Sequence, residues 1–226
     1  MKITYLGQSC FLINYGGTHL LFDPMISPNP LASHIDIDEI SADYILISHG
    51  HQDHMADAEA IAARTGATIV SSYEIAVWFG DKGLKHHGMN IGGKWTFDFG
   101  TVKCVAATHS SVLPDGTYAG SPVGYVISGN HGCFYFAGDT GLTMDMKLIP
   151  MICPPLDFSI LPIGDNFTMG YEDAIIATDF INCPHVIGCH YDTFPPIEID
   201  KPVVNQAFAQ ANKQLTLINI GDHIEL

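Results

Sequence analysis

Short apolar runs recur along this chain, most too short for helices, and several end abruptly in polar side chains at what should be the rim of a sheet. Lys2 to Leu6, Cys10 to Tyr15 and His19 to Asp23 read as three strands, with Gly16-Gly17 marking a hairpin turn. Pro24, Pro28 and Pro30 cannot donate to a sheet ladder, so the segment after Asp23 is expected to run as a surface loop. Tyr44 to Ile47 has buried-strand character. Ala, Glu and Ile at helical spacing predict a helix over Met55–Thr65 that stops at Gly66, then a strand over Ala67–Ser71 and a helix over Tyr73–Phe79. This alternation of strand and helix predicts a layered α/β fold whose helices cover the sheet.

In the second half, Trp95, Phe97 and Phe99 alternate within Gly88–Gly100, which predicts a half-buried hairpin with the three rings packed in the core. Strands are expected over Thr101–Thr108, Ser121–Ser128, Cys133–Ala137, Asp157–Ile163 and His185–Cys189. Helices are expected over Tyr171–Ile181 and Val203–Asn212, and closing strands over Leu215–Ile220 and His223–Leu226. No short fixed-period repeat interrupts the pattern, and 226 residues suit one domain over 1–226.

Composition narrows the function. Hydrophobic residues make up 47% and charged residues 15%, which points to extensive buried sheet or to a subunit interface, so self-association is an expectation. The net charge of −15 repels a polyphosphate backbone, so long nucleic acid is not an expected partner, whereas a small molecule is. The six cysteines show no regular spacing and sit mostly in apolar runs, as free thiols of a reducing compartment do. The amino terminus lacks the apolar core of a signal peptide and no stretch offers 18 uninterrupted apolar residues. A cytoplasmic protein without membrane association is therefore expected.

The chemistry is concentrated where strands end. Tyr44-Ile45-Leu46-Ile47-Ser48 runs into His49-Gly50-His51-Gln52-Asp53-His54. A lone histidine at a strand end is usually a hydrogen-bonded or surface residue, but four ligand-type side chains within six positions read as a metal site. His49 and His51, two residues apart, lean to one side, and Asp53 and His54 follow the turn and can serve a second position. Three further strands end in His109, Asp139 and His190, and strand ends of a layered sheet can converge on one cleft. Seven donors suit two ions: His49, His51 and His109 for the first, Asp53, His54 and His190 for the second, and Asp139 bridging them. Asp23 reads either as an acceptor behind a metal-binding histidine or as a turn-capping residue.

HGHQDH, His109, Gly138-Asp139-Thr140 and His190 together resemble the metallo-β-lactamase superfamily, and the resemblance covers nearly the whole chain. The early Asp23-Pro24 turn, Asn90-Ile91-Gly92-Gly93, FAGDTGL, LPIGDNFTMG and HYDTFP are most similar to its small metal-dependent hydrolases, relatives of L-ascorbate-6-phosphate lactonase. The resemblance implies an α/β fold in the form of a four-layer αββα sandwich, with a binuclear site at one edge. His51 stands where the flavodiiron branch places glutamate, no cysteine stands at His109, Asp139 or His190, and the extra domain of the nuclease branches is not expected within these 226 residues.

The expected activity is hydrolysis of a small ester, lactone or phosphodiester by a metal-bridging hydroxide. The cofactors would be two divalent ions, zinc first and manganese or iron as alternatives, with Asp53 orienting the water and accepting its proton. A nucleic-acid phosphodiesterase and a metal-binding protein without turnover are the competing readings. In Asp165-Asn166-Phe167-Thr168, either an Asx turn caps the next helix or Asn166 and Thr168 line the substrate pocket. Tyr191, Asp192 and Thr193 are expected to steady His190. The other histidines read as ordinary surface or hydrogen-bonding residues. His34 is set apart, because its proline-rich loop can fold over a cleft.

Overall fold

A computed structural model describes residues 1–226. The first sheet holds β1 (Lys2–Gly7), β2 (Cys10–Tyr15), β3 (Thr18–Phe22), β4 (Tyr44–Leu46), β5 (Thr68–Ser72) and β6 (His86–Met89). The second holds β7 (Lys94–Thr96), β8 (Thr101–Ala106), β9 (Val123–Gly129), β10 (Gly132–Phe136), β11 (Phe158–Pro162), β12 (His185–Cys189) and β13 (Gln214–Thr216). The last strand, β14 (His223–Glu225), returns to the first sheet beside β1, so each sheet has seven strands, in the orders β14-β1-β2-β3-β4-β5-β6 and β13-β12-β11-β10-β9-β8-β7.

The period-two pattern explains the layers. In β2, Phe11, Ile13 and Tyr15 point into a core shared by both sheets, while Cys10 points outward to a second core under the helices. In β10, Phe134 and Phe136 enter the shared core, while Cys133 and Tyr135 face a third. The second core is closed by α2 (Ala58–Thr65) and α3 (Tyr73–Gly80) through Ile61, Ala62, Ile75 and Phe79. The third is closed by α5 (Tyr171–Phe180) and α6 (Lys201–Gln210) through Ala174, Ala177, Val204 and Phe208. Two sheets, each apolar on both faces, thus fold as the expected αββα sandwich. In its centre the Phe134 ring lies parallel to Phe158 at 5.0 Å, a placement in which burial of each ring contributes about 1.5–3 kcal/mol. No helix is long and apolar enough to cross a membrane.

Local differences from the sequence expectations have tertiary causes. The helix expected over Met55–Thr65 is two pieces, α1 (Gln52–Met55) and α2, because Asp57 turns its carboxylate to accept from the Ile26 and Ser27 backbone amides at 2.6 and 2.9 Å. The hairpin expected over Gly88–Gly100 is instead the crossing between sheets: β6 pairs with β5, and β7 pairs with β8. Trp95 consequently lies on an edge strand and is exposed, not in the core, whereas Phe99 is buried. A helical segment unexpected from periodicity, a 3-10 turn over Met144–Leu148 that runs into α4 (Ile149–Ile152), carries exposed Met144, Leu148, Met151 and Ile152.

Candidate metal centre

The two sheets meet at one edge through hydrogen bonds that join the strand ends. Val123 donates its amide to the Ser48 carbonyl at 2.9 Å, Tyr125 donates its hydroxyl to the Ile47 carbonyl at 2.7 Å, and His190 donates its amide to the Gln8 carbonyl at 2.8 Å. Gly138, at φ 62°, lets the turn after β10 lie against Ser48, since a Cβ there would stand 2.6 Å from the Ser48 Cβ. These contacts carry the ends of β4, β8, β10 and β12 to one place. All seven sequence-predicted donors are brought together there.

They form two groups of donor atoms, each within 4.8 Å: His49, His51 and His109, and Asp53, His54, Asp139 and His190. In the first, His49 Nε2 lies 2.9 Å from His51 Nδ1. In the second, Asp53 Oδ2 lies 3.3 Å from His54 Nε2 and 3.7 Å from His190 Nε2. Asp139 Oδ2 stands between the groups, 4.0 and 3.6 Å from Nε2 of His49 and His109, and 3.3 and 3.1 Å from Nε2 of His54 and His190. His54 Nε2 and Asp139 Oδ1 are buried without any hydrogen-bond partner. Five imidazoles and two carboxylates aimed at common points, with buried lone pairs left unsatisfied, form an all-N/O donor set that fits divalent ions.

Polar contacts behind the donors fix their tautomers. Asp23 is fully buried and accepts from three donors: the Ser48 amide at 2.7 Å, the Ser48 hydroxyl at 2.6 Å and His54 Nδ1 at 2.7 Å. His49 Nδ1 in turn reaches the Ser48 hydroxyl at 3.0 Å. Both histidines therefore hold their Nδ1 protons on this relay and leave Nε2 as the atom facing the centre, the one that is free to bind an ion once the ring is neutral. Gln8 donates from its side-chain amide to Asp53 Oδ2 at 3.0 Å. Gln8 and Ser48 were not singled out from sequence. Ser48 directly precedes the histidine motif, and Gln8 follows a strand ending at the same edge, so position was the available signal.

The electrostatics of the metal-free cluster differ between the groups. Burial, reinforced by the neighbouring imidazoles and opposed by nearby carboxylates, lowers the pKa values of His49, His51 and His109, so this trio is neutral. Burial opposes protonation of His54 and His190 as well, yet Asp139 and Asp53 outweigh it. They raise His54, with Asp23 contributing, and push His190 up to about 9. Asp53 and Asp139 are held well below the usual carboxylate range, because His54 and His190 together outweigh their burial.

Above the cluster lies a cleft of about 620 Å³ with Met25, Pro28, Phe167, Phe194 and Pro196 along its walls. Asn166 and Thr168, the expected substrate contacts, do not line it; Phe167 between them does. Asp165 and Asn166 sit at φ 62° and 58°, so this turn delivers the intervening phenyl ring, and the Thr168 hydroxyl is spent on the Met169 carbonyl. Nor does the turn cap α5, whose N-terminus at Gly170 has no side-chain cap. Tyr191, Asp192 and Thr193 make no hydrogen bond to the His190 ring. Tyr191 stacks on Tyr5 at 6.3 Å, Asp192 accepts from the Ile199 amide, and Thr193 donates to the Tyr191 carbonyl. His34 packs beside Gly221 rather than over the cleft.

The chain is similar to known proteins along nearly its whole length. Residues 2–190 match the family model described as β-lactamase superfamily domain. A metal-dependent hydrolase of Christiangramia forsetii is 56% identical over 227 residues, covering 100% of both chains. One of Flavobacterium johnsoniae is 53% identical over 226 residues, again covering 100% of both. Among solved structures, Igni18, a metallo hydrolase of the archaeon Ignicoccus hospitalis, superposes with a TM-score of 0.89 at 34% identity, over 99% of this chain and 97% of its own.

Proposed function

This chain belongs to the β-lactamase superfamily and is a metal-dependent hydrolase, and from that premise we propose that it works with two divalent ions on a small ester, lactone or phosphodiester. The observation that carries the reading is Asp139 Oδ2, a single buried oxygen within 4.0 Å of Nε2 atoms from both donor groups. His49, His51 and His109 would hold one ion, Asp53, His54 and His190 the other, and Asp139 both. Zinc suits the borderline imidazole set first, and manganese or iron suit it too. When bound, such a pair supplies Lewis acidity at the substrate oxygen and a water whose pKa falls from ~16 towards neutrality.

The remaining work belongs to the chain. Asp53 has a side chain 27% exposed where that of Asp139 is 3% exposed, so it is the carboxylate that can reach a cleft water, orient it and take its proton. Gln8 holds that carboxylate from behind, and the Asp23–Ser48 relay holds the imidazoles. The apolar walls limit the water that enters. A nucleic-acid substrate is disfavoured by the net charge of −15 and by a cleft without lysine or arginine. The buried thiols support a cytoplasmic setting, and the exposed apolar group on Met144–Ile152 supports self-association.

Elemental analysis of natively purified protein should find about two equivalents of metal per chain, as the two donor groups require. Asp53→Ala should lose turnover on an ester, lactone and phosphodiester panel. Protein without metal, and without gain in thermal stability when zinc, manganese or iron is added, overturns the reading. Full metal loading without turnover of any panel member favours a binding protein.

A further inference from the structure

The cleft walls carry information about the part of the substrate that lies away from the scissile bond. Resting on the hydrolase reading above, we infer that the substrate is an uncharged carboxylic ester or lactone whose apolar group lies against Phe167 and Phe194, not a phosphorylated compound.

Three observations converge. The chain has twelve phenylalanines, and only Phe167 and Phe194 are exposed, at 53% and 38%; both line this one cleft. Phenyl rings that the fold buries wholly or partly everywhere else, yet leaves open above its reactive centre, offer a surface that an apolar ligand covers. Secondly, the lining contains no lysine or arginine although the chain has nine, and Lys201, the closest in sequence to Phe194, is paired with Asp192 at 3.0 Å. A phosphate remote from the reacting bond would find no fixed cation, and the acidic chain would repel it. Thirdly, the rings are presented by unusual backbone. Asp165 and Asn166 precede Phe167, and His190 and Asp192 precede Phe194, all four with φ between 54° and 62°. Aspartate, asparagine and histidine enter the left-handed region more readily than other non-glycine residues, and here two of them before each ring turn the chain so that the ring faces the cleft. The two turns lie against each other at Gly164, where a Cβ would stand 2.1 Å from the His190 carbonyl oxygen. The Phe167 turn is thereby seated on the backbone of a donor residue.

The test compares kinetics of the metal-loaded protein on γ-lactones with alkyl chains of increasing length and on a sugar lactone carrying a phosphate. KM for the alkyl series should fall about three- to fourfold per added methylene until the cleft is filled. The phosphorylated lactone should be turned over at least a hundredfold less efficiently in kcat/KM. Phe167→Ala and Phe194→Ala should each raise KM for the long-chain lactone by on the order of tenfold and flatten the chain-length gradient, with Phe167→Leu retaining most of it. A readout independent of turnover is calorimetric binding of phenylacetamide, which both alanine variants should weaken by a similar factor. Thermal melting of each variant checks that it is folded. A flat gradient in the unmodified protein, preference for the phosphorylated lactone, or alanine variants that bind phenylacetamide normally would each overturn the inference while leaving the hydrolase reading intact. Absence of turnover on every lactone, ester and phosphodiester would instead remove the hydrolase reading on which it rests.

Discussion

Replacing Asp23 with asparagine separates a buried charge from the tautomers it enforces. Asp23 Oδ1 accepts the Ser48 amide, and Oδ2 accepts both the Ser48 hydroxyl and His54 Nδ1, all at 2.6–2.7 Å. An asparagine must place its NH2 on one side. If NH2 faces the Ser48 amide, two donors meet at hydrogen-bond distance inside the core. If it faces His54, it donates to Nδ1, and the ring proton moves to Nε2, where the second ion would bind. The same NH2 reverses the Ser48 hydroxyl towards His49 Nδ1, and His49 then also protonates its Nε2. Either arrangement wastes a buried contact worth about 1.5–3 kcal/mol with a charged acceptor, and the second withdraws one donor from each ion. Outer contacts of this kind typically change metal affinity about 10- to 100-fold. Asp23→Asn should therefore bind both ions at least about tenfold more weakly by calorimetric titration into metal-free protein, while circular dichroism stays native. Ser48→Ala should weaken mainly the first. Asp23→Asn binding both ions as the unmodified protein does would refute the relay.

The protonation states would separate the two proposed ions by pH. The His190 folded pKa of about 9 lies above its ordinary value, so its stabilisation of the metal-free fold is full below about 6.5 and disappears as pH rises through about 9; thermal melting of metal-free protein should fall across that window. Filling the second group must expel the His54 and His190 protons, so affinity there should rise about tenfold per pH unit for each proton released, whereas the neutral His49, His51 and His109 trio should load with little pH dependence above 6.5. Proton release measured by titration in two buffers checks both. Gln8→Leu should keep the fold and the first ion and lower kcat more than it raises KM, since it frees Asp53 from its 3.0 Å contact; an unchanged kcat would refute that role. Phe134→Ala should cost about 3–5 kcal/mol in denaturant unfolding without altering the metal content of the folded fraction.

Much of the frame was legible in the sequence because it rests on local patterns. Alternating Phe11, Ile13 and Tyr15, or Phe134 and Phe136, can bury one face only as strands, and a run such as Tyr44–Ser48 that stops at His49 can only deliver that histidine to a sheet rim. The misread pieces are those that a distant partner bends. Asp57 breaks a helix to hold the Pro24 loop, and Trp95 is exposed because β7 opens a second sheet instead of returning to the first.

The seven candidate donors and their division into two groups were legible from residue type and position, since imidazoles and carboxylates gathered at and just after strand ends are ready ligands for divalent ions. What only the tertiary structure decided is how the donors are held and what lies above them. Gln8 supports Asp53 across 45 positions of chain, Asp23 orients His54 across 31, and Phe167 rather than Asn166 or Thr168 forms the cleft wall. A hydrogen bond between remote strands leaves no periodic trace in sequence, and the direction of a side chain in a left-handed turn depends on the backbone it is pressed against. Those two facts separate what composition and spacing can dictate from what only the folded chain can.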